Sequence, residues 1–179
     1  MGASQRRWAW HQLDTRWANQ LVAEAAIAPG ALVLDVGAGM GALTGPLLAG
    51  GARVIAVEAH PDRARDLRRR FGDAIVVVQT DARDLRLPRR PYHVVANPPF
   101  GLTTALLRRL LQPGSRLLSA HLVLQDQAAR RWAGETAPGA RRWGRSFETS
   151  AGIRVPRSAF RPPPAVDARV LVIRRRQTG

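Results

Sequence analysis

Apolar and polar positions along the chain switch repeatedly between helical spacing and short continuous runs. From Arg16 to Ala28 the apolar residues recur at helical intervals, with Trp17, Leu21 and Val22 on one inward stripe, and Pro29-Gly30 stops the pattern. Leu32-Val33-Leu34 is a buried-strand run, followed by a glycine-rich turn and a helix over residues 42–49. A second strand spans 53–57, and Pro61 opens a helix over 62–70. Residues 74–78 and 93–96 read as the third and fourth strands. Thr103 or Thr104 caps a helix through Leu111 that ends at Pro113-Gly114. Strand five covers 120–124, a basic helix lies near Arg130, and 168–173 is a last strand. This alternation predicts an α/β domain, a parallel sheet with helices on both faces. The whole of 1–179 reads as one domain, with a basic, Trp-rich arm over 1–15 and a Gly/Pro/Arg-rich mobile loop over 133–146.

Composition narrows the chemistry. The absence of cysteine excludes disulfides and thiolate metal sites, and His11, His60, His93 and His121 show no ligand spacing, so no metal is expected. No apolar run is long enough for a bilayer and no leader is evident, so the expectation is a soluble cytoplasmic protein. The formal net charge is +15, and every basic residue is arginine. A GC-rich codon supply accounts for arginine over lysine, but not for the excess over 13 acids. That excess points to a polyanion, foremost nucleic acid. Arg6 and Arg7 beside Trp8 and Trp10 suit stacking on RNA bases or packing on the domain surface.

The turn after the first strand carries Asp35 and then Gly37-x-Gly39-x-Gly41, with Glu58 ending the next strand. Glycines there let the backbone turn sharply and approach a ligand, and a carboxylate at Glu58 suits ribose hydroxyls. Two cofactors fit this much. Gly37-x-Gly39-x-x-Ala42 satisfies a dinucleotide fingerprint. In the S-adenosylmethionine reading, Asp35 holds an ammonium, while Asp81 and the Ala82 N–H hold an adenine. The bland alternatives are a helix cap for Asp81 and an arginine ion pair for Asp35. Asn97-Pro98-Pro99-Phe100 then follows a buried strand. Its amide and backbone carbonyl accept hydrogen bonds from a planar amine, and its ring stacks on the plane that carries it. With Asp35 and Asp81, this clamp favours S-adenosylmethionine. The alternative is a plain turn with Phe100 in the core.

These motifs, in this order, together with Val123-Leu124-Gln125 and the segment Val155–Asp167, resemble the rRNA adenine N6-methyltransferases. That family comprises the erythromycin-resistance (Erm) enzymes and the dimethyladenosine transferases of small-subunit rRNA. The resemblance implies a Rossmann-like class I methyltransferase with a mostly parallel seven-stranded sheet. It implies that Asp35, Gly37, Gly39, Glu58, Asp81 and Ala82 line the cofactor pocket. Asn97 and the Pro98 carbonyl would hold the target amine, and Phe100 would stack on the base. Phe160 would close the other face or anchor the Pro-rich loop. Trp10-His11-Gln12-Leu13 stands where the family has Gln-(Asn/His)-Phe-Leu, which implies His11 and Leu13 near the cofactor. Pro98 replaces a usual aliphatic residue; Asn-Pro-Pro also occurs in methylases of guanine amines and of glutamine amides, and the tail motif favours adenine. The chain ends soon after Arg174-Arg175-Arg176, where the family continues into a helical domain. The expectation is therefore a short, monomeric Erm form acting on 23S rRNA or a pre-ribosomal large-subunit particle, conferring macrolide-type resistance, with S-adenosyl-L-homocysteine as product. RNA contacts would then fall to Arg6, Arg7, Arg130, Arg131, Arg141, Arg142 and Arg174–Arg176. The rival classes are a methylase of another amine or amide and a non-catalytic rRNA-binding assembly factor.

Overall fold

The structure is a computed structural model that describes residues 11–177. Its elements are β1 (Gln12–Leu13), α1 (Thr15–Ala25), β2 (Leu32–Val36), α2 (Thr44–Ala49), β3 (Arg53–Glu58), α3 (Pro61–Phe71), β4 (Val76–Gln79), β5 (Tyr92–Ala96), α4 (Thr103–Leu110), β6 (Leu117–Gln125), α5 (Asp126–Trp132), α6 (Ala140–Trp143), β7 (Phe147–Val155), β8 (Phe160–Arg161) and β9 (Ala168–Arg175). Seven strands form one sheet in the order β4-β3-β2-β5-β6-β9-β7, and β1 pairs separately with β8. Strands β4 to β6 run parallel, while β9 is antiparallel to both β6 and β7.

The continuous apolar runs have a direct cause. All five residues of β2 are buried, because helices cover both faces of the sheet. On one face Leu106, Leu107 and Leu110 of α4 and Trp132 of α5 pack with Leu34, Val94 and Leu122. On the other, Leu21 of α1, Leu47 of α2 and Leu67 of α3 pack with Val33, Val54, Val95 and Val123. Strand order reverses between β2 and β5. In open parallel sheets the crevice beyond the carboxyl ends of such strands is where ligands bind.

The structure adjusts several expected boundaries. Helix α1 starts one residue earlier, because the Asp14 side chain accepts the Trp17 N–H at 2.9 Å, and it ends at Ala25, capped by Ala26 in the left-handed region. Helix α2 begins at Thr44 rather than residue 42, because the turn through Gly41 (φ +83°) occupies the preceding positions. Thr103 does not cap α4; its hydroxyl donates back to the Phe100 carbonyl at 2.9 Å. The seventh strand, β7, had no counterpart in the residue pattern. Its alternation is broken by a register irregularity between Ala151 and Arg154, where Gly152 lies against Val170 and Val172. The 133–146 segment contains α6, and its buried Trp143 donates from Nε1 to the Pro138 carbonyl. Arg6 and Arg7 lie outside the described residues.

Candidate active site

Each acid and amide singled out in the sequence falls at the carboxyl edge of the sheet. Asp35 is on β2, Glu58 ends β3, Asp81 follows β4 and Asn97 follows β5. The turn after β2 is tied to β3, with the Gly37 N–H on the Val57 carbonyl at 2.8 Å. Gly37 (φ +78°) has no room for a side chain: a Cβ would sit 3.0 Å from Pro99 Cδ and 3.3 Å from Pro98 Cα. The glycine turn and the Asn-Pro-Pro-Phe turn therefore touch. Together they wall a cavity of about 330 Å³ lined by His11, Glu58, Asp81, Ala82, Pro98 and Phe100 among others.

Glu58 is nearly buried and spans this turn. One carboxylate oxygen accepts the Gly39 N–H and the other the His60 N–H, both at 2.8 Å. Each oxygen keeps further acceptor capacity for a ligand hydroxyl. Asp81 accepts the Arg83 N–H and pairs loosely with the Arg83 side chain at 3.6 Å. Asp35 is different. It is fully buried, and it accepts the Thr44 hydroxyl at 2.7 Å. Burial pushes its pKa up to about 7, against the Thr44 bond, with the nearby Glu58 charge adding to the rise. Among the described residues Asp35 has no arginine partner. It lines a narrow crevice with Gln12, Leu13 and Ala42 that shares Gly37 and Asn97 with the larger cavity.

His11 ties the amino-terminal segment to the clamp. Asn97 Nδ2 donates to the His11 carbonyl at 2.8 Å. The His11 ring meets the Pro162 carbonyl at 2.8 Å through Nδ1 and stacks near Phe100, with centroids 6.0 Å apart at 28°. Pairing of Gln12 with Arg161 and Leu13 with Phe160 holds the segment there. With Nδ2 engaged, Asn97 keeps Oδ1 as its outward acceptor, and no protein donor reaches that oxygen among the described residues.

The cavity's donor set suits a nucleoside-bearing ligand: carboxylates at one end, an amide acceptor and an aromatic ring at the other, and apolar walls between. It suits S-adenosylmethionine in particular, because the side crevice adds an acid beside the glycine turn. Among the described residues no group of His, Cys, Asp or Glu is placed to hold a metal. Among the same residues no helix is long and apolar enough to cross a membrane.

Comparison with known proteins identifies the family. The model of the ribosomal RNA adenine dimethylase family matches residues 11–179. The chain belongs to that family. It is 42% identical over 146 residues to an rRNA adenine N-6-methyltransferase of Corynebacterium diphtheriae, covering 80% of this chain and 57% of that one. It is also 42% identical over 148 residues to the mycinamicin-resistance protein MyrB of Micromonospora griseorubida, covering 80% and 47%. Other relatives, at 32–39% identity, carry the name ribosomal RNA small subunit methyltransferase A. The solved structure of the 23S rRNA methyltransferase ErmE superposes with a TM-score of 0.80 at 28% identity, over 96% of this chain and 73% of that one. The chain thus spans about half the length of the curated relatives it matches.

Not every family-implied residue reaches the cavity. Phe160 is fully buried in the core around Val95 and Val123 and does not line the cavity. Leu13 is likewise buried and meets only the side crevice. Arg130 is tied to Asp126 at 2.8 Å, while Arg131, Arg141 and Arg142 are exposed. Arg142 and Arg175 line a separate cavity at the opposite, amino edge of the sheet. The roles of the His11 carbonyl and of Thr44 were not foreseen. Asp35 and Thr44 are nine positions apart, a spacing with no helical or strand meaning.

Proposed function

We propose that this chain carries the methyl-transferring domain of an rRNA (adenine-N6)-methyltransferase acting on 23S rRNA, in the macrolide-binding region, with macrolide-type resistance as the outcome. The observation that carries the reading is Asn97, its amide N–H held by the His11 carbonyl so that Oδ1 is presented beside the glycine turn and Phe100. Support for the 23S assignment comes from the superposition on the 23S rRNA methyltransferase ErmE, and support for resistance from the 42% identity to the mycinamicin-resistance protein MyrB.

S-adenosylmethionine, when bound, supplies a methyl group already activated on a sulfonium. The chain supplies alignment. Glu58 would accept ribose hydroxyls, Asp81 and the Ala82 N–H would take the cofactor's adenine, and Asp35 would face its ammonium. A target adenine, flipped from its stack, would lie against Phe100. Its amine would donate to Asn97 Oδ1 and to the Pro98 carbonyl, turning the nitrogen lone pair out of the ring plane. No strong base is required, because the amine becomes acidic as it is methylated. Alignment of this kind can supply on the order of 7–11 kcal/mol.

The test is transfer of labelled methyl to 23S and 16S rRNA fragments, with identification of the modified nucleoside. Label in N6-methylated adenosine from 23S rRNA supports the reading. Label in a guanine or in protein favours the rival methylases, and label only in 16S rRNA favours a small-subunit enzyme. Cofactor binding with no transfer to any rRNA favours the assembly-factor reading.

A further inference from the structure

The amino edge of the sheet holds a separate, open cavity of about 580 Å³. Arg116, Arg142 and Arg175 line it, and no acidic side chain does. Topology concentrates charge here. Arg116 immediately precedes β6, Arg145 lies just before β7, and β9 leaves this edge through Arg174 and Arg175. Arg175 is fixed in place. Its Nε donates to the Leu117 carbonyl at 2.7 Å, Nη2 donates to the Ser115 carbonyl, and its guanidinium lies over the Phe147 ring, 4.7 Å from the centroid. A guanidinium has five N–H donors, so Arg175 keeps several for a ligand. The side chains of Arg116 and Arg142 are exposed and make no ion pair or hydrogen bond among the described residues. A half-buried, preoriented guanidinium flanked by two uncommitted ones suits phosphate oxygens.

We propose that this groove grips the phosphodiester backbone of the RNA substrate, apart from the site that takes the target base. Six residue steps of extended chain run from Pro91, in the groove's wall, to Asn97 in the active site. At about 3.3 Å per residue that is about 20 Å. A folded RNA can reach both ends of the sheet at once. The inference takes its ligand from the rRNA-methylating reading, but its test does not depend on methyl transfer.

The experiment measures binding of a fluorescein-labelled 23S rRNA hairpin by anisotropy, without cofactor, between about 50 and 200 mM salt. The double variant Arg116→Gln/Arg142→Gln removes two exposed, unpaired charges. The charge-matched control is Arg65→Gln/Arg69→Gln on α3, whose arginines pair with Asp62 and Asp66. Loss of two phosphate contacts should flatten the log–log slope by about 1.4–1.8. The control should leave the slope unchanged, and Arg116→Lys/Arg142→Lys should retain most of it. In transfer assays the groove variant should raise KM for RNA and leave kcat unchanged. An unaltered slope, or an equal loss in the control, overturns the groove. Failure of the methylation reading would instead appear as no transfer by the unaltered protein, whatever the slopes.

Discussion

Gly37→Ala probes the contact on which the site is built. Gly37 sits at φ +78°, where an L side chain costs roughly 1–2 kcal/mol. Its new Cβ would lie 3.0 Å from Pro99 Cδ and 3.3 Å from Pro98 Cα. Those atoms belong to a ring and to backbone, so neither can swing aside, and crowding of this kind costs about 1–3 kcal/mol. The expected total is roughly 2–5 kcal/mol of stability. Gly30 supplies the matched reference: φ is +80°, but nothing lies within 4 Å of an added Cβ. Gly30→Ala should therefore show only the backbone part. Urea unfolding of both variants gives the difference, and methyl-transfer kcat/KM at a temperature where both are folded gives its functional consequence. The clamp must shift to admit the methyl group, so Gly37→Ala should lose activity while Gly30→Ala keeps it. Equal destabilisation with activity intact in both would refute the claim that the glycine turn positions Asn97-Pro98-Pro99-Phe100.

Asn97→Ala should lower kcat by roughly 100- to 1000-fold, as loss of a single transition-state hydrogen bond does elsewhere; single-turnover transfer rates within a few-fold of the parent would contradict its role. A ligand ammonium beside Asp35 favours the ionised carboxylate, so S-adenosyl-L-homocysteine should bind more tightly as pH rises through about 7 and release protons on binding. Calorimetry in two buffers of different ionisation enthalpy measures this, and Asp35→Asn should abolish it. Stability between pH 4 and 6.5 holds two opposed contributions. Asp35, raised to about 7, keeps its proton in the folded chain and loses stability as pH rises from 3.8; buried His121, lowered to about 4 chiefly by desolvation, loses stability as pH falls from 6.5. His93, also lowered by burial, acts in the same direction as His121. Asp35→Asn should therefore unmask the histidines, giving a chain that gains roughly 2–3 kcal/mol between pH 4.5 and 6.5, read by urea midpoints; a flat profile would exclude a neutral buried His121.

The residues that could be read from sequence share one property: their meaning is local. Continuous apolar runs marked the strands because helices cover both sheet faces, and acids directly after those runs landed on one edge because the strands are parallel. Apart from the Thr44–Asp35 bond, what escaped depends on pairing between distant segments. The β1–β8 pair joins residues about 150 positions apart and brings the His11 carbonyl onto Asn97. The same pairing turns Phe160 inward beside Leu13. The arginines mislead for a related reason. Runs such as Arg141-Arg142 and Arg174–Arg176 look equivalent to Arg130-Arg131 in sequence, but strand direction sends Arg142 and Arg175 to the edge opposite the Asn97–Phe100 turn.

The most direct test of the account is nucleoside analysis of 23S rRNA from cells with the intact gene, without it, and with Asn97→Ala in its place. The account predicts N6-methylated adenosine in the macrolide-binding region only with the intact chain. Identical 23S nucleoside profiles in all three would contradict it.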